Sequence, residues 1–512
     1  MDFTLPQYDP FRMLPEIFML LWALWVFTYD LITKRQKEAA VGYMALIGPA
    51  VPLLFIVFYL TGLLPESWRY GGSGFGAMFF NDTTAMFFKI VFLGAAIMAI
   101  GSSFGITKQK IVNHRGEFYG LLLFSTLGMM FLASSNELLT LYIGLELTTI
   151  PLFVLAAFFK DDKLSVEAGV KYFVIGAFSS ALLLYGMSFL YGLSGTTGLV
   201  QMKMNMAVVF LSYRDIGVIL LGGIVLLVAG VGFKLALPPF HQWAPDVYEG
   251  SPTPIAAFLS VGSKAAGLVA FGKIFVNGLM AFFGPEQAPN DWGMLVGLLA
   301  ILAMVIGNVV AIRQTNIKRM LAYSSIAQAG YIMIGMVVLN EHGMASVAYY
   351  IFAYMFANMG AFAAVAIFED QTGSCQIEDY KGLAKTSPVF AVSLSLFLLS
   401  LVGIPPLAGF LAKYKVFAAA ISMATVDPSA SWLYWLVGVG VLTAVFSLFY
   451  YANVMRLMFF SNEEPRHKIT YSVPALCVLL LGLAGIVVFG IYAEPILKLV
   501  RTIPADFGLY IP

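Results

Sequence analysis

Apolar stretches long enough to cross a bilayer recur along the whole chain, and they limit its fold more than any other feature. A spanning helix needs about 20 predominantly apolar residues. Such stretches fall at roughly 14–33, 42–63, 80–103, 116–133, 137–159, 169–192, 214–236, 254–279, 292–312, 320–339, 344–368, 388–424, 432–459 and 472–499, which gives about fourteen spans. Hydrophobic residues make up 60% of the 512 positions and charged residues 11%, whereas a soluble domain carries about a quarter charged. Segment length and the lack of period-2 alternation favour helices over a barrel. The expected fold is an all-α polytopic membrane protein. The opening MDFTLPQYDPFRMLPE lacks the basic n-region of a cleaved signal, so the first apolar run is expected to stay as a span.

Alternate loops carry the basic residues: Lys34, Arg35 and Lys37; Lys108, Lys110 and Arg115; Lys160 and Lys163; Arg313, Lys318 and Arg319; Lys381 and Lys385; Arg466 and Lys468. The positive-inside rule places these loops in the cytoplasm and both termini outside. One cytoplasmic loop, HQWAPDVYEG, has neither Lys nor Arg. That exception predicts that it is partly buried in protein. In a bacterium the membrane is the inner one.

Several classes of chemistry are excluded. Cys375 and Cys477 are too few for an iron–sulfur cluster and form no C-x-x-C. His114, His241, His342 and His467 fall in or beside loops, where they cannot face each other as haem ligands inside a bundle. No Gly-rich phosphate loop sits in a strand–helix context. A net charge of +1 gives no reason to expect nucleic acid.

Two segments are interrupted. Pro238 and Pro239 follow an apolar run, and Pro405 and Pro406 stand near the middle of the run 388–424. That run, at 1.5 Å per residue, is roughly 55 Å long against a core of about 30 Å. Proline removes a helical hydrogen bond and clashes with the preceding turn, so a break is expected at both places. Interrupted helices in corresponding positions of two halves point to an inverted-repeat transporter, where broken backbone lines a cavity.

Ionisable residues inside spans gather near these breaks. Lys234 stands beside the first, Lys264 lies in the middle of the next span, Lys413 follows the second break, and Glu146 sits at mid-helix. A charge near the bilayer centre costs roughly 2.5–3.5 kcal/mol by insertion scales, so it persists mainly where it lines a polar interior. Lys273 points about 180° from Lys264 on a helix of 3.6 residues per turn. With Lys89 it is assigned to snorkelling or to subunit contacts. Lys415 is opposed to Lys413 in the same way. Tyr349, Tyr350, Tyr354 and Asn358 lie on one span as a water chain or a packed polar seam. For Glu146 the alternative is an anchor between helices.

The run GFKLALPPFHQWAPDVYEGSPTPIAAFLSVGSKAAG is similar to the most distinctive stretch of the antiporter-like membrane subunits of complex I, the proton-translocating NADH:quinone oxidoreductase. PDVYEGSPTP, the lysine in GIPPLAGFLAK and the absence of histidine from about 344 to 368 resemble subunit N rather than L or M. The absence of a long lateral helix after the last span points the same way.

The resemblance implies two inverted five-helix repeats, each with one broken helix, over 114–279 and 292–460. Helices at 1–110 would precede them and a C-terminal helix at 472–512 would follow. It places the proton path on Glu146, Lys234, Lys264 and Lys413. It implies no cofactor in this chain, with NADH, FMN, iron–sulfur clusters and quinone held by partner subunits, and other membrane subunits and lipids as partners. The double prolines depart from a family that often has one. The alternatives are a subunit of a multisubunit cation/proton antiporter, a related respiratory or hydrogenase complex not driven by NADH, and a purely structural scaffold. Lysine suits a relay because a desolvated ammonium can give up its proton, whereas arginine cannot. Glu146 at about 6 Å from Lys234, with an effective dielectric of about 20, would support that ammonium by about 2.8 kcal/mol.

Overall fold

The computed structural model describes all residues except 1–8, 34–37, 66–69, 76–77, 112, 213–216, 280–291, 339, 464–467 and 507–512. Lys34, Arg35, Lys37, Arg466, His467 and both chain ends therefore lie outside the described residues. Among those described, fourteen helices are long and apolar enough to cross a membrane. The chain is a multi-pass membrane protein.

In chain order the helices are α1 (Leu14–Ile32), α2 (Glu38–Leu60), α3 (Thr83–Ser102), α4 (Arg115–Ser134), α5 (Leu138–Ala156) and α6 (Lys163–Ser194). A short α7 (Leu199–Ser212) leads to α8 (Gly217–Leu235), and a compact α9 (Trp243–Gly250) follows the first break. Beyond it run α10 (Thr253–Gly278), α11 (Trp292–Ala311), α12 (Ile317–Val338) and α13 (Glu341–Thr372). The second broken helix is α14 (Pro388–Val402) and α15 (Ala408–Val426), followed by α16 (Leu433–Phe460), α17 (Val473–Ile491) and α18 (Glu494–Val500).

Both expected breaks are present. Helix α8 stops at Leu235 and helix α14 at Val402, each just ahead of its proline pair. At the first, Ala236 takes a left-handed φ of 55°, and at the second Gly403 takes a φ of 95°, where a side chain would also crowd Lys413. The single run expected at 472–499 is divided at Tyr492 and Ala493 into α17 and α18. A small hairpin that the hydropathy pattern does not signal, β1 (Gly72–Gly74) with β2 (Phe79–Asn81), pairs antiparallel before α3.

Lipid tails are as apolar as leucine, so burial in this bundle follows small residues and hydrogen bonds rather than hydrophobicity. Helices α10 and α13 are buried through their membrane-crossing middles and α12 nearly so, while α1, α2, α16 and α17 keep an outward face. Helix α13 packs against α3, α12, α14, α15 and α17. The interior of the molecule is thus made of the helices that carry Lys264, the tyrosine row and the serines of α12.

The assignment of Lys89 and Lys273 to snorkelling or subunit contacts is corrected. Lys89 is fully buried, 2.5 Å from the Glu16 carboxylate, and donates to Asn81 Oδ1 and the Tyr70 hydroxyl. Lys273, also buried, donates to the Ser135 carbonyl at 2.6 Å. A helical wheel gives the direction of a side chain but not what the neighbouring helices place there. Both lysines point into partners supplied by the first helices and the hairpin.

Candidate functional site

The three lysines at and between the two breaks are almost wholly out of contact with solvent: Lys234 is 3% exposed, Lys264 2% and Lys413 6%. None forms an ion pair among the described residues. Each is instead held by neutral oxygen.

Lys234 is the penultimate residue of α8, and its ammonium donates to the Thr149 hydroxyl of α5. Glu146, three positions earlier and so one turn away on the same helix, is half-buried and accepts from Ser180 of α6 at 2.6 Å. No hydrogen bond or ion pair joins it to Lys234. Helix α10 comes close at Gly267, where a Cβ would sit 3.2 Å from that of Lys234. Glycine eases this tight approach, which brings the helix of Lys264 against the end of α8.

Lys264 follows a widened, π-type turn at Leu259–Ser263, a local distortion often found at functional sites. Its ammonium donates to the main-chain carbonyl of Ser325 on α12. On that helix Ser324, Gln328 and Tyr331 form an i, i+4, i+7 stripe. Gln328 donates to the Leu401 carbonyl at 3.0 Å and accepts from Tyr350 at 2.5 Å. Lys413 lies 4.4 Å from the centre of the Tyr331 ring and donates to the Val402 carbonyl at 2.8 Å. The last carbonyls of a helix have no partner of their own. The break at α14 therefore supplies Leu401 and Val402 as acceptors for Gln328 and Lys413.

Helix α13 closes the seam. Asn358 donates to Ser260 on α10 at 2.5 Å, and Tyr350 meets Gln328. Tyr349 instead turns away to the Phe489 carbonyl at 2.7 Å. Between them the Tyr354, Ser325 and Tyr248 hydroxyls and Asn358 Oδ1 are buried, and none makes a hydrogen bond of good geometry. Buried polar atoms are rarely left so. A cavity of about 10 Å³ beside Gln328, Tyr354 and Lys413 has room for about one water.

The loop without Lys or Arg is buried at Trp243, Ala244, Pro245, Val247 and Tyr248, as its composition predicts. Its acids draw in bases from elsewhere. Asp246 meets Lys171 at 2.6 Å and Arg319 at 2.7 Å, and Glu249 meets Arg319 at 2.7 Å. Burial works against the Asp246 charge, yet hydrogen bonds from Lys171 and Arg319 hold its carboxyl below the ordinary value.

The family described as NADH:quinone oxidoreductase/Mrp antiporter, TM, matches residues 135–447. A relative named NADH-quinone oxidoreductase subunit N from Moorella thermoacetica is 44% identical, over 94% of this chain and 95% of that protein. The chain belongs to the antiporter-like subunit N family of complex I. Another relative, F(420)H(2) dehydrogenase subunit N from Methanosarcina mazei, is 37% identical over 95% of this chain and 96% of that protein. A chain of respiratory complex I from Thermus thermophilus with bound aureothin superposes with a TM-score of 0.76 at 27% identity, covering 95% of this chain and all of that one.

In this subunit N-family chain, sequence reasoning missed Thr149, Ser325, Gln328 and Tyr331. Their uncharged side chains do not stand out from a span by hydropathy. The available signal was the row Ser324, Gln328 and Tyr331 at helical spacing, next to a span that carries lysine.

Proposed function

We propose that the chain is the proton-translocating, non-redox N-type membrane subunit of an NADH:quinone oxidoreductase. Quinone reduction elsewhere in the complex drives protons through it. Glu146, Lys234, Lys264 and Lys413 carry the path, with water on the unpartnered oxygens of Tyr354, Ser325 and Asn358 as the carrier between lysines. The observation that carries this reading is the buried polar seam from Thr149 to Val402, on which three lysines are held by hydroxyl and carbonyl oxygen and by no carboxylate. A scaffold would gain little from such groups, because uncompensated buried charge is destabilising.

In this reading Glu146 supports the charge on Lys234. When that support weakens, the proton passes toward Lys264, and Lys413 holds it on the exit side. The broken helices supply carbonyls that an intact helix would keep for itself. The two breaks belong to inverted repeats within 114–279 and 292–460. Both termini face the outer side of the cell membrane, which accessibility of tags at Met1 and Pro512 would test. NADH, FMN, iron–sulfur clusters and quinone are assigned to partner subunits. The Methanosarcina mazei relative named for F(420)H(2) favours a second reading, with the same proton path and a different electron donor.

The decisive experiment compares Lys234→Met with Lys234→Arg in vesicles that hold the assembled complex. Arginine keeps the charge but cannot release a proton, so both variants are expected to lose this chain's share of proton uptake. Normal pumping by Lys234→Arg would end the relay reading.

A further inference from the structure

On the side of the second broken helix that the topology proposed above makes the outer one, a pocket of about 270 Å³ lies between α13, α15 and α18. His342, Lys415 and Arg501 line it, with Ser422 as a hydroxyl and Leu497 and Val500 as apolar wall, and no acidic residue is among its lining. Lys415 is half-buried, and the field of Arg501 falls on it more strongly than the opposing field of Glu494. Neither the Lys415 nor the Arg501 side chain has a hydrogen bond or ion pair to another described residue. His342 is exposed, with Glu341 at 3.7 Å. Lys415, half out of water, thus faces a second base with only Glu494 to offset it, an imbalance that an anion between the two bases would relieve.

Depth and wall chemistry say which anion. Lys415 is seven residues beyond the start of α15, about 10 Å from the break toward the outer face at 1.5 Å per residue. Half of the hydrocarbon core is about 15 Å, and a lysine stem spans the remainder by snorkelling to the head-group level. Leu497 and Val500 give the pocket an apolar side that suits a glycerol backbone and acyl chain better than a free ion. No carboxylate lines it to receive the ammonium of a zwitterionic head group. We propose that this pocket binds an anionic phospholipid of the outer leaflet, with Lys415 and Arg501 on its phosphate and Ser422 as a hydrogen-bond donor.

The test is native mass spectrometry of the delipidated, assembled complex titrated with dioleoyl-phosphatidylglycerol or with dioleoyl-phosphatidylcholine. The intact complex is expected to retain one more phosphatidylglycerol than the complex carrying Lys415→Gln with Arg501→Gln, with no such difference for phosphatidylcholine. Because Arg501 is exposed, Arg501→Gln alone leaves the fold intact and is expected to weaken retention partially. Equal retention of phosphatidylglycerol by all forms would overturn the proposal. So would its displacement by inorganic phosphate, which would make this a free-anion site. A partner subunit's carboxylate seated on Lys415 in the assembled complex would overturn it as well.

Discussion

Lys413 reaches back across the second break to the carbonyl of Val402, the last residue of the helix that the break ends, at 2.8 Å. The ammonium is held by an oxygen that an unbroken helix would have kept. Proline pair and lysine therefore form one local unit: the first frees the acceptor and the second uses it.

The Tyr331 ring lies 4.4 Å from the same ammonium, so ring and hydroxyl can be separated by mutation. Tyr331→Phe keeps the ring and is expected to leave proton uptake close to normal, with a loss of about 1 kcal/mol in stability from the bonds to Thr443 and Asn308. Tyr331→Ala removes the cation–π contact, worth about 2 kcal/mol when desolvated, and uptake is expected to fall several-fold. Equal effects of the two substitutions would show that the ring does not stabilise Lys413.

Glu146→Gln keeps size and the hydrogen bond from Ser180 but deletes the negative field. At about 2.8 kcal/mol of lost support, charged Lys234 is disfavoured roughly 100-fold. Proton loading from the cytoplasm is expected to collapse while assembly persists. An uptake assay on the purified complex checks this, and near-normal uptake would return Glu146 to the role of an anchor between helices.

The Glu16–Lys89 pair is fully buried. Removing one partner from such a pair costs about 3–5 kcal/mol, whereas replacing both with apolar residues is often close to neutral. Glu16→Leu alone is thus expected to lower thermal stability strongly, and Glu16→Leu with Lys89→Met to recover most of the loss. Melting of the detergent-solubilised complex measures both, and additive losses would contradict a compensated pair.

Beyond the last spans, Asp506 accepts from the Thr84 backbone N–H and hydroxyl at 2.7 and 2.8 Å, and so ties the C-terminal turn to the start of α3. Burial, and then the charge of Asp82, push its carboxyl up to about 6. Undocked, the group returns to about 3.9. The docked state binds the proton more tightly, so its advantage is complete below the undocked value and is lost as pH rises through about 6. After allowance for solvent screening the effect is about 1–2 kcal/mol. Proteolysis of the C-terminal segment is expected to be faster at pH 7.5 than at pH 5, and Asp506→Asn should remove the difference.

Spans, breaks and central lysines are legible in the sequence because each departs sharply from an apolar background. Pro238 and Pro405 stand inside hydrophobic runs, and Lys234, Lys264 and Lys413 are charges where charge is expensive. Lys89 and Lys273 carry the same signal, yet their surroundings come from Glu16, Tyr70, Asn81 and Ser135, which lie outside the helices that carry the two lysines. Thr149, Gln328 and Tyr331 are less visible still. Their polarity costs little in a hydropathy window, and their meaning comes from the helix that faces them. The hairpin at Gly72–Asn81 is too short to produce an alternating pattern.

Helix α9 is gripped from two sides, by Lys171 on α6 and by Arg319 on α12. It works as a strut wedged between α6 and α12. If the segment beyond the first break shifts, α12 must shift with it or the clamp on Asp246 and Glu249 must open. Helix α12 also carries Ser325, Gln328 and Tyr331, so a displacement that begins beside Lys234 arrives mechanically at Lys413 without any proton having travelled between them.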